Sequence, residues 1–158
     1  MEDYDTFYRA NQERLFAYLL RFTGDYHLAC DLTQEAFTRY LDRYGRNGGK
    51  PALLFTIARN AALDAIRRRR EDRPDLESDT SPIEDPERQV ILKQSVDWIL
   101  AAVQRLGPGD RELIALLAAE TFSYREIGDM LDISEGNVKV KVHRARIRLK
   151  AILAQGDP

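Results

Sequence analysis

The 158-residue sequence contains one cysteine, Cys30, and two histidines, His27 and His143. A single thiol cannot close an internal disulfide, and these three residues match no metal-ligand spacing, so neither a disulfide scaffold nor a metal site is expected. Cys30 reads as a small buried hydrophobe. No apolar run approaches the roughly 20 residues that cross a bilayer, and the opening MEDYDTFYRANQ is acidic and polar, unlike a signal peptide. Those two absences point to a cytoplasmic chain without direct membrane insertion. No phosphate-cradling glycine motif and no nucleophile-and-base pair stands out, so no enzyme activity, catalytic residue or cofactor is expected.

Charge is plentiful but unevenly placed. Charged residues make up 32% of the chain and the formal net charge is only −2, a total that by itself argues against a nucleic-acid partner. The distribution argues the other way. Apolar residues at three- and four-residue steps (Phe7, Leu15, Phe16, Leu19, Leu20, Phe22) predict a first helix that Thr23-Gly24-Asp25 breaks. A second runs from about Asp25 to Tyr44 and stops at GRNGGKP. A third resumes at Pro51, a residue suited to a first helical turn, and carries Leu54, Ile57, Ala58, Ala61, Leu63 and Ile66. Between Glu71 and Arg88 eight acidic residues face only Arg73 and Arg88, with three prolines; such a stretch buries too little to fold and reads as a linker. Beyond it, Val90, Ile91, Val96, Trp98, Ile99, Val103 and Leu106 mark a helix ending at Gly107-Pro108-Gly109. Three more follow, roughly Asp110 to Ala119, Ser123 to Leu131 and Ser134 to Leu153. The expected fold class is all-α: two small helical domains, 1–70 and 89–158, joined by a flexible acidic linker at 71–88. Two such domains are each close to the smallest size that supports its own core.

The last two helices carry a helix-turn-helix signature. Ser123-Tyr124-Arg125-Glu126 fits a capping box. Asp132 can take the left-handed conformation of a tight turn, and Ser134 can cap the next helix. On that helix Val138, Val142, Ala145, Leu149 and Ile152 form one buried stripe. The remaining face is basic: Lys139, His143, Arg146 and Lys150 form one row, and Asn137, Lys141, Arg144 and Arg148 the row beside it. From Ser134 to Leu153 six Lys or Arg face the single acid Glu135. Phosphates reward that pattern through counterion release, and side chains near the helix start can reach base edges. Val140 projects beside the basic rows, either exposed toward a thymine methyl or partly buried.

Two N-terminal motifs extend the picture. In DLTQEAF, Asp31, Gln34 and Glu35 lie within one and a half turns, as a solvated face or as a docking surface for a basic partner. TIARNAALDAIRRRR places Arg59, Asn60, Asp64, Arg67 and the run Arg68 to Arg70 on and after one helix, a second basic patch.

These motifs, in this order, resemble the sigma-70 family of bacterial RNA polymerase sigma factors, specifically the small two-domain extracytoplasmic-function (ECF, group IV) subfamily. DLTQEAF resembles region 2.2, LLFTIARNAALDAIRRRR resembles regions 2.3 and 2.4, and FSYREIGDMLDISEGNVKVKVHRARIRL resembles region 4.2. The resemblance implies a promoter-specificity factor whose partners are core RNA polymerase (β′ clamp helices and β flap), promoter DNA and an anti-sigma protein, which can hold it at the inner membrane face. It implies polymerase contacts at Asp31, Gln34 and Glu35. It implies minus-10 contacts at Arg59, Asn60, Asp64 and Arg67, with Asn47 and Lys50 from the loop that helps receive an unstacked base. For the minus-35 element it implies Lys139, Val140, His143 and Arg144 at bases, with Arg125, Lys141 and Arg146 nearer phosphates. The acidic linker would run through the polymerase channels that carry RNA. One departure is clear: many members have Trp-Leu-x-Arg where this chain has Leu53-Leu54-Phe55-Thr56, so an aromatic and a cation of the melting motif are missing. A conventional helix-turn-helix regulator and a sigma-like decoy that binds a regulatory protein are the alternatives.

Overall fold

The protein is described from a computed structural model, which places residues 3–46, 49–72 and 95–155. They fall into two compact units, one within 1–82 and the other within 83–158. Among the described residues the secondary structure is helical throughout, and no helix is long and apolar enough to cross a membrane.

The first unit packs three helices, α1 (Tyr4–Thr23), α2 (Tyr26–Tyr44) and α3 (Pro51–Asp72). Each boundary has a local cause. The Asp3 carboxylate accepts the Thr6 N–H at 2.9 Å and starts α1; that bond, first among its causes, holds the Asp3 pKa below the usual carboxylate value. Gly24, with φ of 71°, ends α1 in the left-handed conformation and donates its N–H to the Leu20 carbonyl at 2.8 Å. Asp25 then caps α2 by accepting from Leu28 N–H at 3.0 Å. Phe7, Leu15, Tyr18 and Leu19 from α1, Leu32, Ala36, Phe37 and Tyr40 from α2, and Leu54, Phe55 and Ala58 from α3 form the core. Phe16 is only half-buried, edge-on to the Tyr26 ring at 5.5 Å. Three buried polar side chains pair within their own helices: Asn11 Nδ2 donates to the Phe7 carbonyl, and the Thr23 and Thr33 hydroxyls donate to the carbonyls four residues back.

Helix α3 carries on through Glu71 and Asp72, two residues into the stretch that composition marks as linker. The rest of the expected linker, with Val90 and Ile91 beyond it, lies outside the described residues.

The second unit contains α4 (Ser95–Gln104), α5 (Pro108–Ala118), α6 (Tyr124–Leu131) and α7 (Glu135–Ala154). Gly107-Pro108-Gly109, read from sequence purely as a helix end, also begins the next helix. Pro108 occupies the first turn of α5, where its missing N–H costs nothing. Val103, Leu106, Ile114 and Ala145 form a buried cluster, with Leu117, Leu149 and Ile152 packed against it.

The α6–α7 turn forms as its residues dictate. Ser123 Oγ accepts from Glu126 N–H at 3.1 Å while Glu126 Oε1 accepts from Ser123 N–H at 2.9 Å, which completes the capping box. Asp132 adopts φ 58° and ψ 46°, and Ile133 N–H closes back onto the Gly128 carbonyl at 2.9 Å. Ser134 Oγ accepts from Asn137 N–H at 3.1 Å and starts α7. The turn is so tight that a Cβ on Gly128 would lie 2.6 Å from the Ile133 carbonyl oxygen. Because that neighbour is backbone, Gly128→Ala should destabilise the second unit by about 1–3 kcal/mol. Amide hydrogen exchange checks this: protection should fall in α6 and α7 and stay unchanged in α1 to α3.

Candidate nucleic-acid interface

The buried stripe of α7 fixes which side chains face outward. Val138, Val142 and Ala145 are buried, and Leu149 and Ile152 pack partly against the same core, as the spacing predicts. On a 3.6-residue helix the line opposite that stripe passes through Val140 and Ile147. Both are exposed, at 45% and 53%. Val140 is therefore the exposed of its two expected alternatives, and Ile147 is an outward apolar residue that pattern reading missed. Lys139, His143 and Arg146 flank this line on one side, Lys141 and Arg144 on the other, all exposed. Arg125, on α6, is exposed as well. Among the described residues none of these cations forms an ion pair, so α7 presents an apolar seam between two rows of available positive charge.

Arg148 differs from the rest of its row. Its guanidinium donates to the half-buried Asp110 carboxylate at 2.7 Å, across 38 residues of sequence. That pairing ties α7 to the first turn of α5 and takes Arg148 out of the basic surface. Sequence spacing could not show it, because only packing brings the two helices together.

In the first unit the buried residues of α3 are Leu54, Phe55, Ala58, Ala61 and Ala62. Asn60, Leu63 and Arg67 share the opposite face and are exposed, Leu63 at 39%. Arg59 and Asp64 are half-buried at its margins, and Asp64 lies 3.5 Å from Arg67, an exposed pair worth little. The LLFT departure becomes concrete here. Leu54 and Phe55 are fully buried, Phe55 with its ring 5.4 Å from that of Tyr18, so Phe55 cannot stand in for the missing surface aromatic. Thr56 turns its hydroxyl back to the Ala52 carbonyl at 2.8 Å.

The α2–α3 loop is anchored at its far end. Tyr40 Oη accepts the Lys50 N–H at 2.9 Å, and a Cβ on Gly49 would collide with the Phe7 ring at 2.0 Å. Lys50 itself is exposed; Asn47 lies outside the described residues. Just before the loop Tyr44 is 38% exposed, with the Arg43 guanidinium 5.5 Å over its ring, an aromatic surface that sequence patterning did not single out.

Asp31, Gln34 and Glu35 are all exposed on α2, opposite the buried Ala29, Leu32, Thr33, Ala36 and Phe37. Gln34 Nε2 reaches Tyr8 Oη at 3.4 Å, and Glu35 pairs with Arg39 one turn on. Cys30 is half-buried rather than buried, because it sits one step off that buried stripe. Among the described residues no group of His, Cys, Asp and Glu is gathered as metal ligands would be.

Comparison with known proteins assigns this arrangement. The Sigma-70 region 2 profile matches residues 7–71 and the Sigma-70, region 4 profile residues 97–149. The chain is 32% identical to the ECF RNA polymerase sigma factor SigM of Bacillus subtilis over 96% of both chains. This protein belongs to the ECF sigma factors of the sigma-70 family. It is also 34% identical to the ECF sigma factor SigE of Mycolicibacterium smegmatis, over 98% of this chain and 63% of that one. The sigma factor RpoE, solved in complex with the anti-sigma factor NepR from Bartonella quintana, has a TM-score of 0.73 and 25% identity, covering 93% of this chain and 94% of that one. CnrH, solved with the cytosolic domain of CnrY, shares the fold with a TM-score of 0.68.

The region 2 match takes in α1 to α3, and the region 4 match takes in α4 to α7 as far as residue 149. The family consists of transcription factors that are not enzymes. The loop anchor gives a direct test. Tyr40→Phe removes the acceptor for Lys50 N–H and keeps the ring stack on Phe7 at 4.9 Å. It should cost about 0.5–1.5 kcal/mol. Rapid exchange of the Lys50 amide in the variant, with the helices still protected, is the expected readout.

Proposed function

We infer that this sigma factor divides its work between its two units, with residues 1–70 gripping core RNA polymerase and reading the minus-10 element and residues 89–158 reading the minus-35 element. The observation that carries the reading is the α7 surface, an exposed apolar seam flanked by Lys139, His143 and Arg146 on one side and Lys141 and Arg144 on the other, which form no ion pair among the described residues, on a capped helix-turn-helix. Lys139, Val140, His143 and Arg144, on the first turns of α7, meet base edges; Arg125, Lys141 and Arg146 meet phosphates. Val140 is placed to pack on a thymine methyl, and Arg144 to make the forked contact that guanine rewards.

On α3, Asn60 faces the unstacked non-template base, supported by Arg59, Asp64 and Arg67 and by Asn47 and Lys50 of the loop. With Leu53 where many members carry tryptophan, Tyr44 and its stacked Arg43 supply an exposed aromatic for a displaced base. The anchoring of Gly49 and Lys50 supports a loop whose far end is held before DNA arrives. Asp31, Gln34 and Glu35 dock on the β′ clamp helices, and the region 4 unit docks on the β flap. The acidic segment at 71–88 acts as the tether. The polymerase performs the chemistry and this chain selects where it starts. An anti-sigma protein is a further partner, supported by the likeness to RpoE, which was solved bound to NepR; such a partner would keep the chain in the cytoplasm, at the inner face of the membrane.

Pull-down of core polymerase tests the first unit. The wild-type chain should retain polymerase and the Asp31→Arg/Glu35→Arg double variant should lose it. DNA binding without polymerase retention by the wild type would instead make the chain a conventional regulator. For the second unit, Arg144→Ala should weaken selection of the minus-35 element by about 1–3 kcal/mol relative to scrambled DNA. An equal loss on both sequences would reassign Arg144 to phosphate.

A further inference from the structure

The four consecutive arginines that end α3 are not equivalent. Ala58, Ala62, Ala65 and Arg69 succeed one another at steps of four, three and four, so Arg69 continues the buried stripe of the helix. Asn60, Leu63, Arg67 and Arg70 follow at steps of three, four and three, along the outer row. Arg68 lies on a third line, with Ala61 and Asp64.

What Arg69 meets is Asp25. Its Nη2 donates to Asp25 Oδ2 at 2.7 Å, across 44 residues of sequence. The other oxygen of the same carboxylate, Oδ1, accepts the Leu28 N–H and caps α2. The Asp25 side chain is 29% exposed, the more sheltered member of the pair. One carboxylate thus links the start of α2 to the last turns of α3, where the helix beyond Ala62 carries no fully buried side chain. Without that anchor, half-buried Ala65 and Ile66 are the last apolar side chains along this end of the helix, and Glu71 and Asp72 offset only part of the repulsion among the four adjacent arginines.

We propose that Arg69 is a positioning residue clamped by Asp25, and that it keeps Arg67 and Arg70 in line with Asn60 without touching a phosphate itself. The proposal rests on the reading that the outer row of α3 meets promoter DNA. It divides the RRRR run, uniform in sequence, into one cation for the scaffold and others for the ligand.

Salt dependence of binding separates the two roles, because a side chain that neutralises one phosphate adds about 0.9 to the slope of log K against log salt, and its removal takes that amount away. The full chain is titrated onto a short duplex of random sequence. Arg67→Gln and Arg70→Gln should each flatten the slope by about that amount. Arg69→Gln should leave the slope unchanged and weaken binding by a constant factor, about twofold to fivefold, at every salt concentration. Asp25→Asn preserves the cap oxygen and removes the charge, and should reproduce the Arg69→Gln result. A flattened slope for Arg69→Gln, or a steeper one for Asp25→Asn, would overturn the proposal.

Thermal unfolding provides a reading independent of DNA. Asp25→Asn and Arg69→Gln combined should shift Tm no further than the larger single effect, whereas strictly additive shifts would mean that no clamp exists. Unchanged slopes for both Arg67→Gln and Arg70→Gln would count against the DNA-facing row of α3, leaving the clamp to be judged by this cycle.

Discussion

Each unit depends on one constraint: a helix lined on one side with small or β-branched residues is packed against its neighbours, and its opposite side is thereby turned outward. In α3 the pressed side is Ala58, Ala61 and Ala62; in α7 it is Val138, Val142 and Ala145. Short side chains bring the helix backbones near, and stiff valines leave little rotational freedom. Rotating α7 by even one residue would place Lys139 or Lys141 in the core and lose burial of the valines. The outward direction of Arg144 or Val140 is therefore a consequence of packing on the far side of the helix.

The same constraint explains why polar side chains from distant positions complete the packing. In each unit an aspartate near the start of one helix takes an arginine from another: Asp25 takes Arg69, and Asp110 takes Arg148. Both acids lie where the positive end of a helix dipole already favours a carboxylate. Both arginines come from segments that look uniformly basic. Partial shelter of the acids strengthens these pairs, although pairs of this exposure contribute modestly to stability. Each joins two helices that are far apart in sequence.

Much of this was legible in the sequence because it is local. Helix caps at Ser123 and Ser134, the left-handed Asp132 and the break at Gly24 are decided within four residues, and amphipathic stripes within eleven. The fold class, the family and the outward placement of Lys139, His143 and Arg144 follow from such signals. What stayed hidden depends on residues far apart in the chain. Arg148 belongs to a basic row by spacing and to Asp110 by packing. Tyr40 reads as a core aromatic, and its hydroxyl turns out to anchor the Lys50 backbone ten residues on. Phe55, part of the LLFT departure, is drawn into the core beside Tyr18. Cys30 sits one step off a buried stripe, a distinction of a single helical position that composition cannot make.

The LLFT departure gains a physical meaning from these contacts. In a small three-helix unit, a bulky residue at the start of α3 either faces the core or faces outward, and here Leu54 and Phe55 are used for the core. Stability at that end of α3 then comes from burial, together with the Tyr40–Lys50 bond and the close seat of Gly49 on Phe7. An aromatic surface is still available, but at Tyr44, on the other side of the loop and outside the apolar pattern. Region 2 of this chain thus joins a loop anchored deep in its own core to an exposed tyrosine with a cation stacked on it. With Tyr44 on the α2 side, the exposed aromatic comes before the loop rather than after it.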